Sequence, residues 1–267
     1  MDLYTFTTGT TPLLVSIPHA GTYLPEAIAA TLTPAARPLP DTDWHLPRLY
    51  DFLPRMGASI LTATHSRCVI DLNRDPSGKP LYPGASNTEL CPTALFDEQA
   101  IYHDGAAPDA AAIATRRETY WAPYHQQLVG ELDRLRATFG VAILFDAHSI
   151  RSVVPRFFEG RLWDLNIGTA DGRAADPELG ERLLALCKAE PAYTSVLDGR
   201  FKGGYITRHY GRPDHNIHAV QLELAECTYM QEDAPYAYDP ARAGHLVPLL
   251  EAFVGVMLDW ARKRQSQ

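Results

Sequence analysis

Residues 141–149 read VAILFDAHS, an apolar run that ends in an acid, a histidine and a serine. The run 141–145 is rich in Val, Ile and Leu-like residues and predicts a strand buried on both faces. Other runs of the same kind lie at residues 13–17, 59–64 and 219–224, with residues 68–72 as a fifth beside the second. These five segments predict the strands of a central sheet.

Stretches with helical spacing lie between the apolar runs. Apolar residues recur at this spacing over 44–56 and 124–139, and further helices are predicted over 177–189 and 240–263. The last helix carries one broad apolar face, which we expect to pack on the sheet. The alternation predicts an α/β fold in one domain over residues 1–267, with a mixed, mostly parallel sheet and helices on both faces.

Two long segments show no helical or strand period. Residues 75–109 are rich in Pro, Gly, Asn and Asp, and residues 151–173 are similar. Long loops inside a compact domain are usually functional or disordered, and neither segment is of low complexity, which favours a functional loop. Residues 201–211, with glycines toward both ends of an aromatic and basic stretch, predict a loop, a strand and a second loop that close over a ligand.

The charge balance excludes several classes of partner. The 267 residues include 24 Lys and Arg against 32 Asp and Glu, a net charge of −8. Broad binding to nucleic acids or anionic membranes depends on clustered cations, so we expect neither partner. Four scattered cysteines without a CxxC pair, and an N-terminus without a cationic start or a long apolar core, predict a cytoplasmic protein without a transmembrane segment. The oligomeric state is not indicated.

Three polar clusters lie where predicted strands end. They cover residues 16–21 (SIPHAG), 71–74 (DLNR) and 145–149 (FDAHS). In open α/β sheets, ligands bind in the crevice beyond the carboxyl ends of the strands, so we expect the clusters to converge there. His19 and His148 then suit a divalent metal such as zinc, which takes imidazole and carboxylate ligands. A histidine at the end of a strand is often an ordinary surface or hydrogen-bonded residue. The small residues next to His19 and His148 leave space for an ion, which favours the interpretation of both histidines as metal ligands.

The sequence indicates the third metal ligand less directly than the two histidines. The acids nearest to His19 along the chain are Glu26, Asp41 and Asp43, the last two in the segment DTDWH. Asp41 is a candidate N-cap for the helix that begins near Trp44. We therefore expect Asp43 to be the acidic ligand, with Asp41 as the alternative.

Several cations lie near the predicted crevice. Asn73 and Arg74 end one cluster, and Arg67 precedes the same segment. A guanidinium makes planar, bidentate contacts with carboxylates, so paired arginines near a metal indicate an anionic substrate. Arg208 is a candidate to bind a second carboxylate of the substrate. The alternative for each is an ordinary salt bridge, for instance Arg74 with Asp71 or Asp75.

Glu223 lies inside the otherwise apolar stretch 219–226 (AVQLELAE). Alternation places Gln221 and Glu223 on one face of the strand, opposite Leu222 and Leu224. A buried carboxylate is costly without a partner or a task, and accepting a proton from an activated water is one such task. The alternative is an ion pair with an arginine, and Glu226 is the rival candidate for the base.

Taken together, the motifs resemble the N-formylglutamate amidohydrolase (N-formylglutamate deformylase) family, which is related to the zinc carboxypeptidases and aspartoacylase. The resemblance covers nearly the whole chain and is carried by these segments: SIPHAGTYLP, DTDWH with LYDF, SRCVIDLNRDP, LYPG with CP, FDAHSIRS, FKGGYITRHYG and QLELAE. It implies a zinc-carboxypeptidase-like fold. It also implies metal-dependent hydrolysis of N-formyl-L-glutamate to formate and L-glutamate in histidine degradation, most simply with one Zn²⁺ ion.

The resemblance also implies roles for the candidate residues. His19 and His148 correspond to imidazole ligands, Glu223 to the base, and Arg67 to the arginine that polarises the scissile carbonyl. Asn73 and Arg74 correspond to the pair that holds a substrate carboxylate. One departure concerns the acidic ligand: the related peptidases use an HxxE motif, whereas AGT follows His19, so Asp43 is assigned by analogy with DTDW.

Two other functions remain open on the sequence. One is a deacylase or carboxypeptidase that acts on another N-acyl acidic amino acid with the same scaffold. The other is a binder of acidic metabolites that keeps the arginines without catalysis.

Overall fold

One seven-stranded mixed sheet forms the centre of the computed structural model, which describes residues 1–81 and 86–265. The strands are β1 (Tyr4–Thr7), β2 (Leu13–Ile17), β3 (Ser59–Ala63), β4 (Ala142–Ile150), β5 (Leu165–Gly168), β6 (Ser195–Leu197) and β7 (Ile217–Ala225). Their order in the sheet is β1-β3-β2-β4-β7-β5-β6. Most of the LYPG motif, residues 82–84, lies outside the described residues.

The inner strands of this sheet run parallel. β3, β2, β4 and β7 pair in parallel, β6 is parallel to β5, and the antiparallel pairs are β1 with β3 and β5 with β7. All positions of β2, β4 and β7 are buried, as expected for parallel strands covered on both faces. The predicted α/β fold with a mixed, mostly parallel sheet is confirmed.

Helices cover both faces of the sheet. They are α1 (Glu26–Ala29), α2 (Leu46–Leu49), α3 (Ala110–Arg116), α4 (Ala122–Phe139), α5 (Pro177–Lys188), α6 (Tyr205–Tyr210) and α7 (Pro240–Gln265). Successive residues of β2 show the division: Leu13 and Val15 pack in the core that contains α5 and α7, whereas Leu14 packs in the core that contains α4.

α7 is long and apolar enough, by length and composition, to cross a membrane over Pro240–Arg264. Its large apolar side chains are buried in the core with the sheet, as the sequence predicts. They are Leu246, Leu250, Phe253, Met257 and Trp260. Core helices of globular proteins pass the same test, so this helix is weak evidence of a membrane span.

Three segments differ from the sequence predictions. Residues 68–72 form a turn and not a strand: the Val69 N–H donates to the Ser66 carbonyl, and the apolar side chains of the segment are buried in the hydrophobic core. Residues 201–211 contain helix α6 in place of the predicted strand. The helix predicted over 44–56 is divided into α2 and a 3-10 turn, Leu53–Met56, each with a proline as its second residue, which has no backbone N–H to continue a preceding helix.

The extents of two other segments also differ from the prediction. β4 continues to Ile150, so His148 lies on the strand and not beyond it. The segment 151–173 includes strand β5 and is not entirely a loop.

Candidate active site

His19, Asp43 and His148 meet at the carboxyl ends of neighbouring parallel strands. His19 follows β2 by two residues, His148 lies near the end of β4, and these strands are paired. Asp43 comes from the turn before α2, where its backbone N–H donates to the His19 carbonyl. One potential ligand atom from each side chain lies within 4.8 Å of the others, and all three residues are buried.

The imidazole rings of His19 and His148 both face Asp43 with their Nδ1 atoms. Asp43 Oδ2 lies 3.1 Å from His148 Nδ1 and 3.7 Å from His19 Nδ1, and it accepts a hydrogen bond from the Ser149 backbone N–H. Burial opposes ionisation of Asp43, but His19, His148 and Arg67 outweigh it, so its pKa is lowered. The site therefore presents two imidazole nitrogens beside an ionised carboxylate.

This donor set fits a divalent metal ion. Asp43 Oδ1 is buried and has no hydrogen-bond partner among the described residues. Arg67 Nη1 lies 3.8 Å from this oxygen, beyond hydrogen-bond distance, and a bound cation would supply the missing direct partner. Two histidines and one carboxylate are the protein ligands of many catalytic zinc sites, which keep the fourth position for water or substrate.

The remaining nitrogen of each imidazole is held by a second carboxylate. His19 Nε2 lies 2.7 Å from Asp71 Oδ1, and His148 Nε2 lies 3.1 Å from Asp146 Oδ2 and 2.9 Å from Asn73 Nδ2. An Nε2–H that donates to a carboxylate leaves the Nδ1 lone pair available to a metal, which is the arrangement common in histidine metal sites. The sequence indicated Asp71 only as a possible salt-bridge partner of Arg74 and gave no role to Asp146, although each lies two residues from a site residue.

Asp71 also forms ion pairs with Arg67 and Arg74. Arg67 Nη2 lies 2.7 Å from Asp71 Oδ2, and Arg74 Nη1 lies 3.9 Å from the same oxygen. Burial alone raises the pKa of Asp71, but Arg74, His19 and Arg67 outweigh burial and hold that pKa well below its usual value. The ion-pair alternative therefore holds for Arg67 and for Arg74, and both guanidinium groups also line the cavity described next.

A cavity of about 70 Å³ opens beside the histidines. It is lined by His19, Arg67, Asn73, Arg74, Leu81, Phe96, His148, Ser149, Ile150, Phe157, Phe201, Gly204, Gln221 and Glu223. Phe96 and Phe157 belong to the two long aperiodic segments and contact each other edge to face, with ring centroids 5.0 Å apart. With Phe201 they form an aromatic wall of the cavity, and the Arg67 guanidinium lies over the Phe96 ring, 4.9 Å from its centroid. The sequence carried no periodic signal for this wall.

Glu223 faces the cavity from β7. Its neighbour in the ladder is His148, and its Oε2 accepts a hydrogen bond from Gln221 Nε2 at 3.0 Å. Burial raises the pKa of Glu223 to about 8, against the opposing effect of His148. A carboxyl group with this proton affinity suits proton transfer near neutral pH. Glu226, the rival candidate, lies in the turn that follows β7, where burial raises its pKa well above the usual value.

Asp41 does not cap a helix. Its Oδ2 accepts the backbone N–H of Phe96 at 2.9 Å, and its Oδ1 lies 3.3 Å from Arg151 Nη2. Burial raises its pKa to about 6. Asp41 thus ties the Phe96 loop to the site and lies apart from the cluster of His19 and His148.

Arg208 lies on α6 along a neighbouring pocket, together with Asp75, Lys79 and Tyr205. Its Nε donates to the Gly203 carbonyl at 2.7 Å, one residue before Gly204, which lines the cavity. The structure therefore does not bring Arg208 into the group formed by Arg67, Asn73 and Arg74.

Comparison with known proteins was made for both sequence and structure. The family model described as N-formylglutamate amidohydrolase matches residues 11–230. The chain is 51% identical over 265 residues to the N-formylglutamate deformylase of Pseudomonas aeruginosa, covering 99% of each chain. It is 49% identical over 262 residues to the enzyme of the same name from Pseudomonas putida, covering 98% of each.

Two solved structures share the fold. An N-formylglutamate amidohydrolase from Ralstonia eutropha JMP134 superposes with a TM-score of 0.82 at 23% identity, covering 98% of this chain and 99% of the other. A gene product of Agrobacterium tumefaciens gives a TM-score of 0.71 at 17% identity, covering 96% of each chain. At these identities the structures support the fold alone.

Proposed function

The chain belongs to the N-formylglutamate amidohydrolase family, and from this premise we propose a metal-dependent mechanism by which it hydrolyses N-formyl-L-glutamate to formate and L-glutamate. The metal ligands in this proposal are His19, Asp43 and His148. The observation that carries it is their convergence within 4.8 Å beside a cavity lined by Arg67, Arg74 and Glu223.

The proposed cofactor is one divalent ion, most simply Zn²⁺. Such an ion acts as a Lewis acid and lowers the pKa of a bound water toward ~7. Asp43 Oδ1, which is buried and accepts no hydrogen bond from the described residues, and the two imidazole rings held in place by Asp71 and Asp146 support this proposal.

Glu223 is the proposed general base. Its carboxylate accepts a proton from the water that attacks the formyl carbon and returns that proton to the leaving amine of glutamate. The support for this role is its place in the cavity and its raised proton affinity. Both transfers use the same group, so the carboxylate ends the cycle in the ionised form in which it began.

Arg67 is proposed to stabilise the negative charge that develops on the formyl oxygen. Its guanidinium is buried, lines the cavity, and is held by Asp71 on one side and the face of Phe96 on the other. A group already fixed in place stabilises a transition state without reorganisation, and one such donor commonly contributes about 3 kcal/mol.

The remaining polar groups are proposed to bind the two carboxylates of the substrate. Asn73 and Arg74 hold one of them from the wall of the cavity. Arg208 is the proposed partner of the second, from the pocket beside Gly203 and Gly204. Two fixed charges orient a small dianion before the chemical step. By the family resemblance, we place the reaction in histidine degradation in the cytoplasm.

The test is formate release by protein that is stripped of metal with a chelator and then refilled with Zn²⁺. We expect N-formyl-L-glutamate to be hydrolysed only after refilling, and N-acetyl- and N-carbamoyl-L-glutamate to react more slowly. Full activity after verified metal removal would refute metal dependence. Faster release of acetate would instead favour a deacylase of another acyl group, and stoichiometric binding without turnover would favour a binding protein.

A further inference from the structure

Gln221 bridges two parts of the site that come from different segments. Its side-chain oxygen accepts the backbone N–H of Gly204 at 2.7 Å, and its side-chain nitrogen lies 3.0 Å from Glu223 Oε2. Gln221 and Glu223 are two residues apart on β7 and point to the same side of the sheet. Gln221 is itself buried, with 3% of its surface exposed.

The orientation of this amide follows from its partners. A backbone N–H only donates, so the atom that faces Gly204 is the oxygen of Gln221. The nitrogen therefore faces Glu223 and donates to its carboxylate. A carboxylate rotates easily about the last torsion of its side chain. The Gln221 amide donates to this carboxylate and is itself held at its oxygen by Gly204, so it restricts the rotation.

Gly204 connects this bridge to the proposed substrate anchor. A Cβ placed on Gly204 would lie 2.3 Å from Asn73 Nδ2, so the Asn73 side chain packs directly on the Gly204 backbone. Asn73 Oδ1 also accepts the backbone N–H of Ile206 at 2.8 Å, at the start of α6. The backbone segment on which the Asn73 side chain packs is therefore the same segment that holds the Gln221 amide by a hydrogen bond.

We propose that Gln221 is a positioning residue that holds the Glu223 carboxylate in its catalytic orientation. Through its hydrogen bond to Gly204, Gln221 also couples this orientation to the segment on which the Asn73 side chain packs. The proposal rests on the proposed role of Glu223 as the base. It assigns to Gln221 an effect on the chemical step, exerted through Glu223, and none on metal binding or on substrate affinity.

The test compares Gln221→Met, which keeps the size of the side chain and removes both hydrogen bonds, with the unaltered protein. We expect kcat to fall by roughly 10- to 100-fold, because misplacement of a catalytic group by about 1 Å has an effect of this order. KM and the metal content per chain should stay unchanged. A rise in KM with kcat retained would overturn the proposal, since it would show that Gln221 acts on substrate binding.

A double-variant cycle separates an effect through Glu223 from a general structural effect. In a Glu223→Gln background, Gln221→Met should cause no further loss of the residual kcat. An equal loss in both backgrounds would refute action through Glu223. If Glu223→Gln itself retains normal turnover, the proposed base fails; if Glu223→Gln is inactive and Gln221→Met is normal, only the role of Gln221 fails.

Asn166 offers a matched control on the other side of Glu223. It is a fully buried amide on β5 that donates to the backbone oxygen of Glu223 at 3.1 Å and leaves the carboxylate untouched. Asn166→Leu should lower the thermal midpoint without the fall in kcat expected for Gln221→Met. A fall in kcat of the same size in both variants would attribute the Gln221 effect to loss of strand packing and overturn the proposal.

Discussion

His148 and Glu223 are direct neighbours in the parallel ladder between β4 and β7. Adjacent strands lie about 4.8 Å apart, so backbone hydrogen bonds alone fix the separation of a proposed metal ligand from the proposed base. Asn166, opposite Glu223 on the antiparallel strand β5, extends this fixed row to a third strand. The proposed metal ligand and the proposed base are therefore both placed by paired strands at the centre of the sheet.

Replacing Glu223 by Gln removes the proposed base while keeping the size of the side chain. We expect kcat to fall by about 10²- to 10⁴-fold with the metal content intact. Glu226→Gln is the matched control, because Glu226 lies in the turn after β7 and is not among the residues that line the cavity. Formate release and metal analysis of both variants check the prediction. Near-normal turnover in Glu223→Gln, or its loss in Glu226→Gln, would reverse the assignment.

Asp43→Asn and Asp41→Asn should differ in metal binding. Loss of a hydrogen-bond partner outside the ligand shell already weakens metal affinity by about 10- to 100-fold, so Asp43→Asn should weaken it by more. Asp41→Asn should retain metal, because Asp41 holds the Phe96 backbone and Arg151. Competition with a chromophoric chelator measures both affinities. The opposite ranking would make Asp41 the ligand.

Arg74→Gln and Arg208→Gln should each raise KM for N-formyl-L-glutamate by about 10-fold or more, since a charged hydrogen bond contributes about 1.5–3 kcal/mol. N-formyl-L-norvaline lacks the side-chain carboxylate and identifies which arginine contacts it. The variant of that arginine should show no further rise in KM with norvaline, whereas the other variant should. Arg117→Gln, on an exposed arginine paired with Glu118, is the control. An unchanged KM in Arg208→Gln would remove Arg208 from the site.

Acid should destabilise the fold through His218. Its Nδ1 accepts the backbone N–H of Asp176, and burial lowers its pKa to about 4 from an unfolded value near 6.5. The unfolded chain binds this proton first, so the stability that neutral His218 contributes is complete above pH 6.5 and is lost as the pH falls toward 4. The loss reaches at most about 1.4 kcal/mol per pH unit.

His218→Asn keeps an acceptor for the Asp176 N–H and removes the titration. Urea unfolding at pH 7, 6 and 5 should show a flatter pH dependence for this variant than for the unaltered protein. His125, whose pKa burial lowers to about 3, titrates in both proteins and cancels in the comparison. Parallel pH profiles for the two proteins would contradict the prediction.

Segments with strong periodic patterns were predicted well from the sequence. β2 matches its predicted bounds, and α4 and α5 begin or end within two residues of theirs, because burial of one helical face or of a whole strand leaves a clear apolar pattern. β1 and β6 were missed, since they are edge strands of four and three residues with partly exposed side chains. In residues 68–72, apolar side chains line a buried turn, and their pattern is indistinguishable from that of a strand.

The site could be predicted as far as strand topology brings residues together. His19, His148 and Glu223 lie on or just after neighbouring parallel strands, and their convergence follows from that topology. The aromatic wall depends on the path of two aperiodic loops, for which neither periodicity nor propensity gives a direction. The position of Arg208 follows from α6, which the sequence indicated as a strand.

The aromatic wall and the ladder of His148 and Glu223 come from separate parts of the chain, and this separation has a use in protein engineering. Phe96 and Phe157 extend from connecting segments, so shortening either side chain should enlarge the cavity without altering the strands beneath it. Gly204 offers no such freedom because Asn73 occupies the place of any added carbon. Variant libraries that seek hydrolysis of bulkier acyl groups should diversify the phenylalanines and leave the glycine alone.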